Sequence, residues 1–163
     1  MFRRSLLALA VCGVLSAPAA HAQNAVVGGW GPRLGFSVDP DQFVFGGQLI
    51  IGEIAPDLTF DPSLEFGFGD DLTVISLNGD VHYHFAVSGS QWRPYAGAGI
   101  AIQFVQFDAP PGFDDDSDTE VGGNLIVGAG VPTSSGNRFF GEIKFGLGDV
   151  PDFKIMAGWN FRM

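Results

Sequence analysis

Cysteine is almost absent from this sequence, since Cys12 is the only one among 163 residues. It lies in an N-terminal segment in which Arg3 and Arg4 precede an apolar run and a small-x-small site at residues 20–22. This order is typical of a cleaved secretory signal peptide, so we expect residues 1–22 to be removed on export. The remaining domain, residues 23–163, would then contain no disulfide and no cysteine-ligated metal.

Cationic residues and long apolar runs are also scarce. The chain has 8 Lys and Arg against 18 Asp and Glu, which argues against nucleic acid as a partner. Beyond the signal peptide, no apolar run reaches the roughly 20 residues of a transmembrane helix. The sequence is instead rich in Gly (24) and Phe (16). An exported chain of this composition, without helical periodicity, favours β structure.

Apolar and polar residues alternate with a period of two, as they do in strands with two different faces. Asn78-Gly79 has the composition of a hairpin turn, but a turn there would set apolar residues opposite polar ones. A turn at Asp70-Asp71 avoids this conflict. It pairs Phe66 with Ile75, Leu64 with Leu77, and Phe60 with Val81.

Eight alternating segments are separated by turn residues. Each has ten or more residues, about the length that a tilted strand needs to cross a bilayer, and their number is even, as in single-chain bacterial barrels. We therefore predict an all-β fold, an eight-stranded antiparallel up-and-down transmembrane β-barrel. The predicted strands are Val26–Val38, Phe43–Gly52, Leu58–Gly69, Leu72–Phe85, Trp92–Phe107, Thr119–Val131, Arg138–Leu147 and Phe153–Met163.

The lengths of the connections predict an orientation. If both chain ends lie in the periplasm, the longest connection, residues 108–118, faces outward and the periplasmic connections are short, as is the rule for these barrels. Trp30, Trp92 and Trp159 then fall near the periplasmic ends of their strands. An aromatic belt is expected at that interface.

Two stretches carry a resemblance to a known family. The last predicted strand, FKIMAGWNFRM, resembles the closing strand of bacterial outer-membrane β-barrels, although it ends in Met163 where that pattern has Phe. Together with WRPYAGAGI in the fifth strand, the mature chain is similar to the porin-family or opacity-protein-like small barrels. The resemblance implies a bacterial outer-membrane location. Membrane lipid, lipopolysaccharide and the barrel assembly machinery are the partners it implies.

Charged residues of both signs fall on the inward face, so we predict a charge network that fills the lumen. The register places Asp61 opposite Asp80, a like-charge pair that needs a cation between its members. We expect Arg93 or Arg33 in that place. The predicted network consists of Arg33, Asp61, Glu65, Asp80, Arg93, Glu120, Glu142, Lys144, Lys154 and Arg162.

No pattern predicts a catalytic residue or a bound cofactor. Asp61 and Glu65 would lie in a filled lumen, out of reach of a substrate. His82 and His84 share the inward face, where they form either a metal-binding pair or, as we favour, hydrogen-bonded lumen histidines. Some eight-stranded barrels modify lipid A with His and Ser at the outer rim, but both histidines here fall at the opposite end. We therefore expect no enzyme.

The outward connections contain many Asp residues and neither Lys nor Arg. Clusters of carboxylate oxygens suit Ca²⁺ or Mg²⁺, and Asp114, Asp116 and Asp118 are the candidate ligands. The alternative is a solvated acidic fringe. The acidic connections are Asp39, Asp41, Asp70, Asp71, Asp108, Asp114, Asp115, Asp116, Asp118, Asp149 and Asp152.

The sequence thus predicts a non-enzymatic outer-membrane barrel that acts in envelope structure, surface interaction or adhesion through acidic outward loops. The alternative is a narrow, weakly conducting porin-like channel. A third interpretation is a soluble exported lipocalin-like β-barrel. The fold alone does not identify a ligand or a host partner.

Overall fold

A computed structural model of the chain describes residues 27–69, 72–107 and 116–163. The predicted signal peptide and the Asp70-Asp71 turn lie outside these residues. Eight strands are described: β1 (Val27–Val38), β2 (Gln42–Ala55), β3 (Leu58–Gly69), β4 (Leu72–His84), β5 (Arg93–Phe107), β6 (Asp116–Pro132), β7 (Arg138–Gly148) and β8 (Phe153–Arg162).

The strands form one closed sheet in chain order, and every neighbouring pair is antiparallel. β1 pairs with β2 on one side and with β8 on the other, so the barrel has no free edge strand. The predicted eight-stranded antiparallel barrel is confirmed. No helix in the described ranges is long and apolar enough to cross a bilayer.

The β3–β4 register agrees with the pairing predicted from the alternation of apolar and polar residues. Gly69 pairs with Leu72, which leaves two residues for the connection, and Asn78 and Gly79 lie inside β4. The like-charge pair Asp61 and Asp80 is also formed. All three predicted apolar pairs are present: Phe66 with Ile75, Leu64 with Leu77, and Phe60 with Val81.

Two strands are four residues longer than predicted. β2 extends to Ala55 and β6 begins at Asp116. Backbone pairing continues into polar residues, as where Asp118 pairs with Val105. The ladder hydrogen bonds do not require apolar side chains, so an apolar pattern underestimates the length of a strand beyond its apolar band.

The two faces of the sheet have opposite character. Outward side chains are apolar and exposed, for example Leu34 at 56%, Phe36 at 49% and Ile100 at 66%. Inward side chains are mostly polar and buried, and Arg33 and Lys144 are among the largest side chains that are fully buried. This distribution is the reverse of that in a soluble globular protein.

Buried side chains occupy the lumen at the end opposite the first and last described residues. The β7–β8 connection folds inward, with Gly146 N–H donating to the Asp152 carbonyl at 2.9 Å, and its Val150 is only 7% exposed. Apolar and polar side chains are buried together at this end: Val44, Val74 and Val105 with Ser37, Gln42 and Gln103.

Candidate functional site

Glu65 lies at the centre of an ion-pair network in the lumen. Its Oε1 atom is 3.2 Å from Arg33 Nε and 3.9 Å from Lys144 Nζ, and its Oε2 atom is 3.1 Å from Lys154 Nζ. The cations come from β1, β7 and β8, whereas Glu65 belongs to β3. One buried carboxylate therefore connects strands that are far apart in the sequence.

Glu142 is a second centre of the network. Its Oε1 pairs with Arg33 Nη2 and lies 3.8 Å from Lys144 Nζ, and its Oε2 accepts a hydrogen bond of 2.8 Å from Tyr95 Oη. Lys144 also donates to Asp80 Oδ2 at 2.5 Å. The network is nearly dry, because these charged side chains are at most 1% exposed.

Asp61 is bound differently from Asp80. His82 Nδ1 lies 2.6 Å from Asp61 Oδ2, and Thr59 donates to the same oxygen at 3.2 Å. The expectation that Arg93 or Arg33 separates Asp61 from Asp80 is wrong: within the described residues, neither arginine forms an ion pair with either carboxylate. Inward side chains reach across the lumen, so the cation that binds Asp80 is Lys144 from β7.

The structure brings together seven of the ten residues predicted for the network and leaves three outside it. Arg93 and Arg162 are exposed and Glu120 is only partly buried, and none of them forms an ion pair with a described residue. They lie near strand ends, where a long side chain reaches water. The seven buried members are Arg33, Asp61, Glu65, Asp80, Glu142, Lys144 and Lys154.

Three neutral residues of the lumen were not predicted, because the predicted network includes only charged residues. They are Gln48, Tyr95 and Asn160. Gln48 accepts from Arg33 Nη1 at 2.8 Å and donates to Asn160 Oδ1 at 2.8 Å. Tyr95 donates to Glu142 and stacks beside His82 with ring centroids 4.8 Å apart. Their positions on the inward face of the alternating pattern are the feature of the sequence that indicates contact with the lumen.

Glycines in β5 make room for the polar side chains of β4. Gly97 pairs with His82 and Gly99 with Asp80. A Cβ atom at either position would collide with the paired side chain. The small residues of the AGAGI stretch thus allow the charged layer to fit inside so narrow a barrel.

The two histidines lie apart from each other at one mouth of the lumen. His84 Nε2 is 3.2 Å from Thr59 Oγ1, and the His82 and His84 ring centroids are 6.5 Å apart. The described residues contain no group of three His, Cys, Asp or Glu side chains arranged around a common metal position. Of the candidate cation ligands, Asp114 and the side chain of Asp116 lie outside the described part, and Asp118 is exposed.

The fold was compared with known proteins. It is similar to Neisserial surface protein A, with a TM-score of 0.65 and 14% identity over 83% of this chain and 95% of that one. It is also similar to the N-terminal β-barrel domain of Pseudomonas aeruginosa OprF, with a TM-score of 0.64 and 16% identity over 83% and 98%. No protein-family model matches the chain, and no curated protein matches it in sequence. These likenesses concern the fold.

Proposed function

We propose that this chain is an integral, non-enzymatic outer-membrane β-barrel that acts in envelope structure or surface interaction through its acidic outward connections. The observation that carries the proposal is the apolar exposed outer face around a lumen of buried ion pairs. A hydrocarbon environment stabilises such an outer face, whereas water does not. A lipocalin-like soluble barrel requires the opposite distribution.

The lumen supports a structural role for its titratable groups. Asp61 with His82 is the arrangement most similar to an acid–base pair, but His82 is 3% exposed, and its Nε2 atom has no hydrogen-bond partner in the described residues. A general base must reach the proton that it removes. The carboxylates of the network instead bind cations of the same chain.

The acidic connections support a role at the outer surface. Asp39, Asp41, Asp149 and Asp152 are all exposed at the end of the barrel opposite the first and last described residues. Solvated carboxylates at one end provide a surface for cationic partners. Divalent-cation binding by Asp114, Asp116 and Asp118 stays a prediction, which calorimetry with Ca²⁺ and Mg²⁺ tests.

Cell fractionation tests the location directly. We expect the expressed chain to sediment with the outer membrane and to migrate faster on gels before boiling than after it, because the closed barrel resists detergent at room temperature. Recovery in the soluble periplasmic fraction, without a heat-dependent shift, would overturn the membrane proposal and support the lipocalin-like interpretation.

A charge placed on the outer wall provides a second test. Leu125 is 49% exposed on β6, and Leu125→Arg should reduce the free energy of unfolding in lipid vesicles by about 2–4 kcal/mol if this face contacts hydrocarbon. The matched control is Leu147→Arg, near the outward end of β7, for which we expect a cost of about 0–1 kcal/mol. Urea titration gives both values. If both variants were neutral, the outer wall would be in water.

A further inference from the structure

The cations outside the lumen core all lie at one end of the barrel. Of the six Lys and Arg residues in the described ranges, Arg33, Lys144 and Lys154 are buried in the network. The other three are Arg93 at the start of β5, Arg138 at the start of β7 and Arg162 at the end of β8.

A cavity of about 240 Å³ is lined by two of these arginines. Arg138 and Arg162 line it together with Thr59 and Asn160. It is several times larger than the roughly 30 Å³ that a water molecule occupies in the liquid. The amide oxygen of Asn160 accepts from Gln48 at 2.8 Å, so the NH₂ group of Asn160 is the donor available to a ligand. We call this cavity, defined by Thr59, Arg138, Asn160 and Arg162, the mouth cavity.

The two arginines at the mouth cavity form no ion pair within the described residues, although the exposed acids Glu53 and Asp57 lie at the same end of the barrel. Neither guanidinium there has an ion-pair or side-chain hydrogen-bond partner, and Arg138 is also repelled by Arg93. Asp61 attracts Arg138 but forms no ion pair with it, although only its Oδ2 atom is bound by His82 and Thr59. A half-buried cation without a partner is costly, and a bound anion removes that cost.

We propose that the mouth cavity binds a phosphate group, with Arg138 and Arg162 as its cationic ligands. The planar guanidinium fork matches phosphate oxygens and forms strong charge-assisted hydrogen bonds with them. Asn160 adds a neutral donor to the same cavity, whereas the Thr59 hydroxyl already donates to Asp61. Two arginines that line one cavity suit an anion that presents several oxygens.

The phosphate comes either from a lipid head group or from a small soluble phosphate ester. Phe161 also lines the cavity and packs on Trp30 with ring centroids 5.1 Å apart. Such an aromatic pair on the outer wall marks the level of a membrane interface, where lipid phosphates lie. The experiment must therefore distinguish the two sources.

Calorimetry on the full chain, refolded in an uncharged detergent, tests the proposal with two probes. One is glycerol 3-phosphate and the other is a short-chain phosphatidylglycerol below its critical micelle concentration. Saturable one-to-one binding of either probe is the expected result. Binding of the lipid alone identifies a lipid head-group site, and binding of both with similar affinity identifies a site for soluble phosphate esters. The absence of saturable binding by both probes overturns the proposal.

Matched charge-removing variants show whether the cavity itself binds the probe. Arg138→Gln and Arg162→Gln should each weaken binding about tenfold, the effect of one charge-assisted hydrogen bond. Arg93→Gln removes the same charge at the same end, but Arg93 does not line the cavity, so we expect a change below about threefold. Equal weakening by all three variants would show diffuse charge attraction and overturn the site. The heat-dependent gel shift verifies that each variant is folded.

Discussion

The charged side chains of the lumen bind one another and are almost completely buried. Glu65 is 0% exposed and contacts Arg33, Lys144 and Lys154. Breaking a buried ion pair from one side leaves an uncompensated charge, which costs more than the intact pair contributes. A single neutral substitution in the network should therefore have a large effect.

Glu65→Gln tests this sensitivity. The substitution preserves the shape of the side chain but removes the negative charge that faces three cations, and we expect it to reduce the free energy of unfolding by about 3–5 kcal/mol. Glu120→Gln is the matched control, because Glu120 forms no ion pair with a described residue; its effect should remain within about 0.5 kcal/mol. Urea unfolding in vesicles measures both, and equal effects would contradict the network.

The position predicted for Arg93 from the sequence differs from its position in the structure. Parity predicts Arg93 in the lumen near Asp61 and Asp80. In the structure Arg93 is exposed at the start of β5. Arg93→Glu should consequently change the free energy of unfolding by no more than about 0.5 kcal/mol. A loss similar to that of Glu65→Gln would place Arg93 in the network after all.

Strand β6 has glycines on both faces of the sheet, and the two faces have different surroundings. Gly128 faces inward, and a Cβ there would collide with the ring of Tyr95, which donates to Glu142. Gly123 faces outward, and its Cβ would meet neighbours only at ordinary distances of 3.5–3.9 Å. The same substitution should therefore have opposite effects at two positions five residues apart.

Gly128→Val and Gly123→Val form that matched pair. We expect Gly128→Val to cost about 1–3 kcal/mol, because the added side chain displaces Tyr95 from its position against Glu142. Gly123→Val should be neutral or stabilising by up to about 1 kcal/mol, since a β-branched residue suits an open position on a strand. Thermal unfolding in detergent, followed by circular dichroism, compares the two. A destabilising Gly123→Val would contradict the assignment of faces.

The sequence predicts strands and faces well, because these depend on local alternation. The β3–β4 register follows from the requirement that Phe66 and Ile75 share a face. Contacts across the lumen cannot be derived from local alternation. The pairing of Arg33 with Glu142, 109 residues apart, depends on strand tilt and stagger, which are properties of the closed barrel and not of any one strand. The contact between His82 and Asp61 is easier to predict, because the two residues lie on neighbouring strands.

Over the whole molecule, charge is distributed along the barrel axis. The end opposite the last described residue exposes acids such as Asp39 and Asp149, and the lumen core holds cations against carboxylates. Arg93, Arg138 and Arg162 lie at the end that carries the last described residue, together with the exposed acids Glu53 and Asp57. The lumen is also layered, from buried side chains such as Val150 and Gln103 through the ionic centre to the layer of His82 and Tyr95. A permeating ion would have to cross all three layers.

We therefore expect no channel activity. An ion entering from the end opposite the last described residue would lose hydration among buried side chains such as Val74 and Gln103 before reaching a centre in which the cations already bind carboxylates. Purified protein in planar bilayers should give no conductance steps beyond those of protein-free bilayers, while a large-pore porin in the same bilayers verifies the assay. Reproducible steps that grow with electrolyte concentration would contradict this expectation and support the narrow-channel alternative.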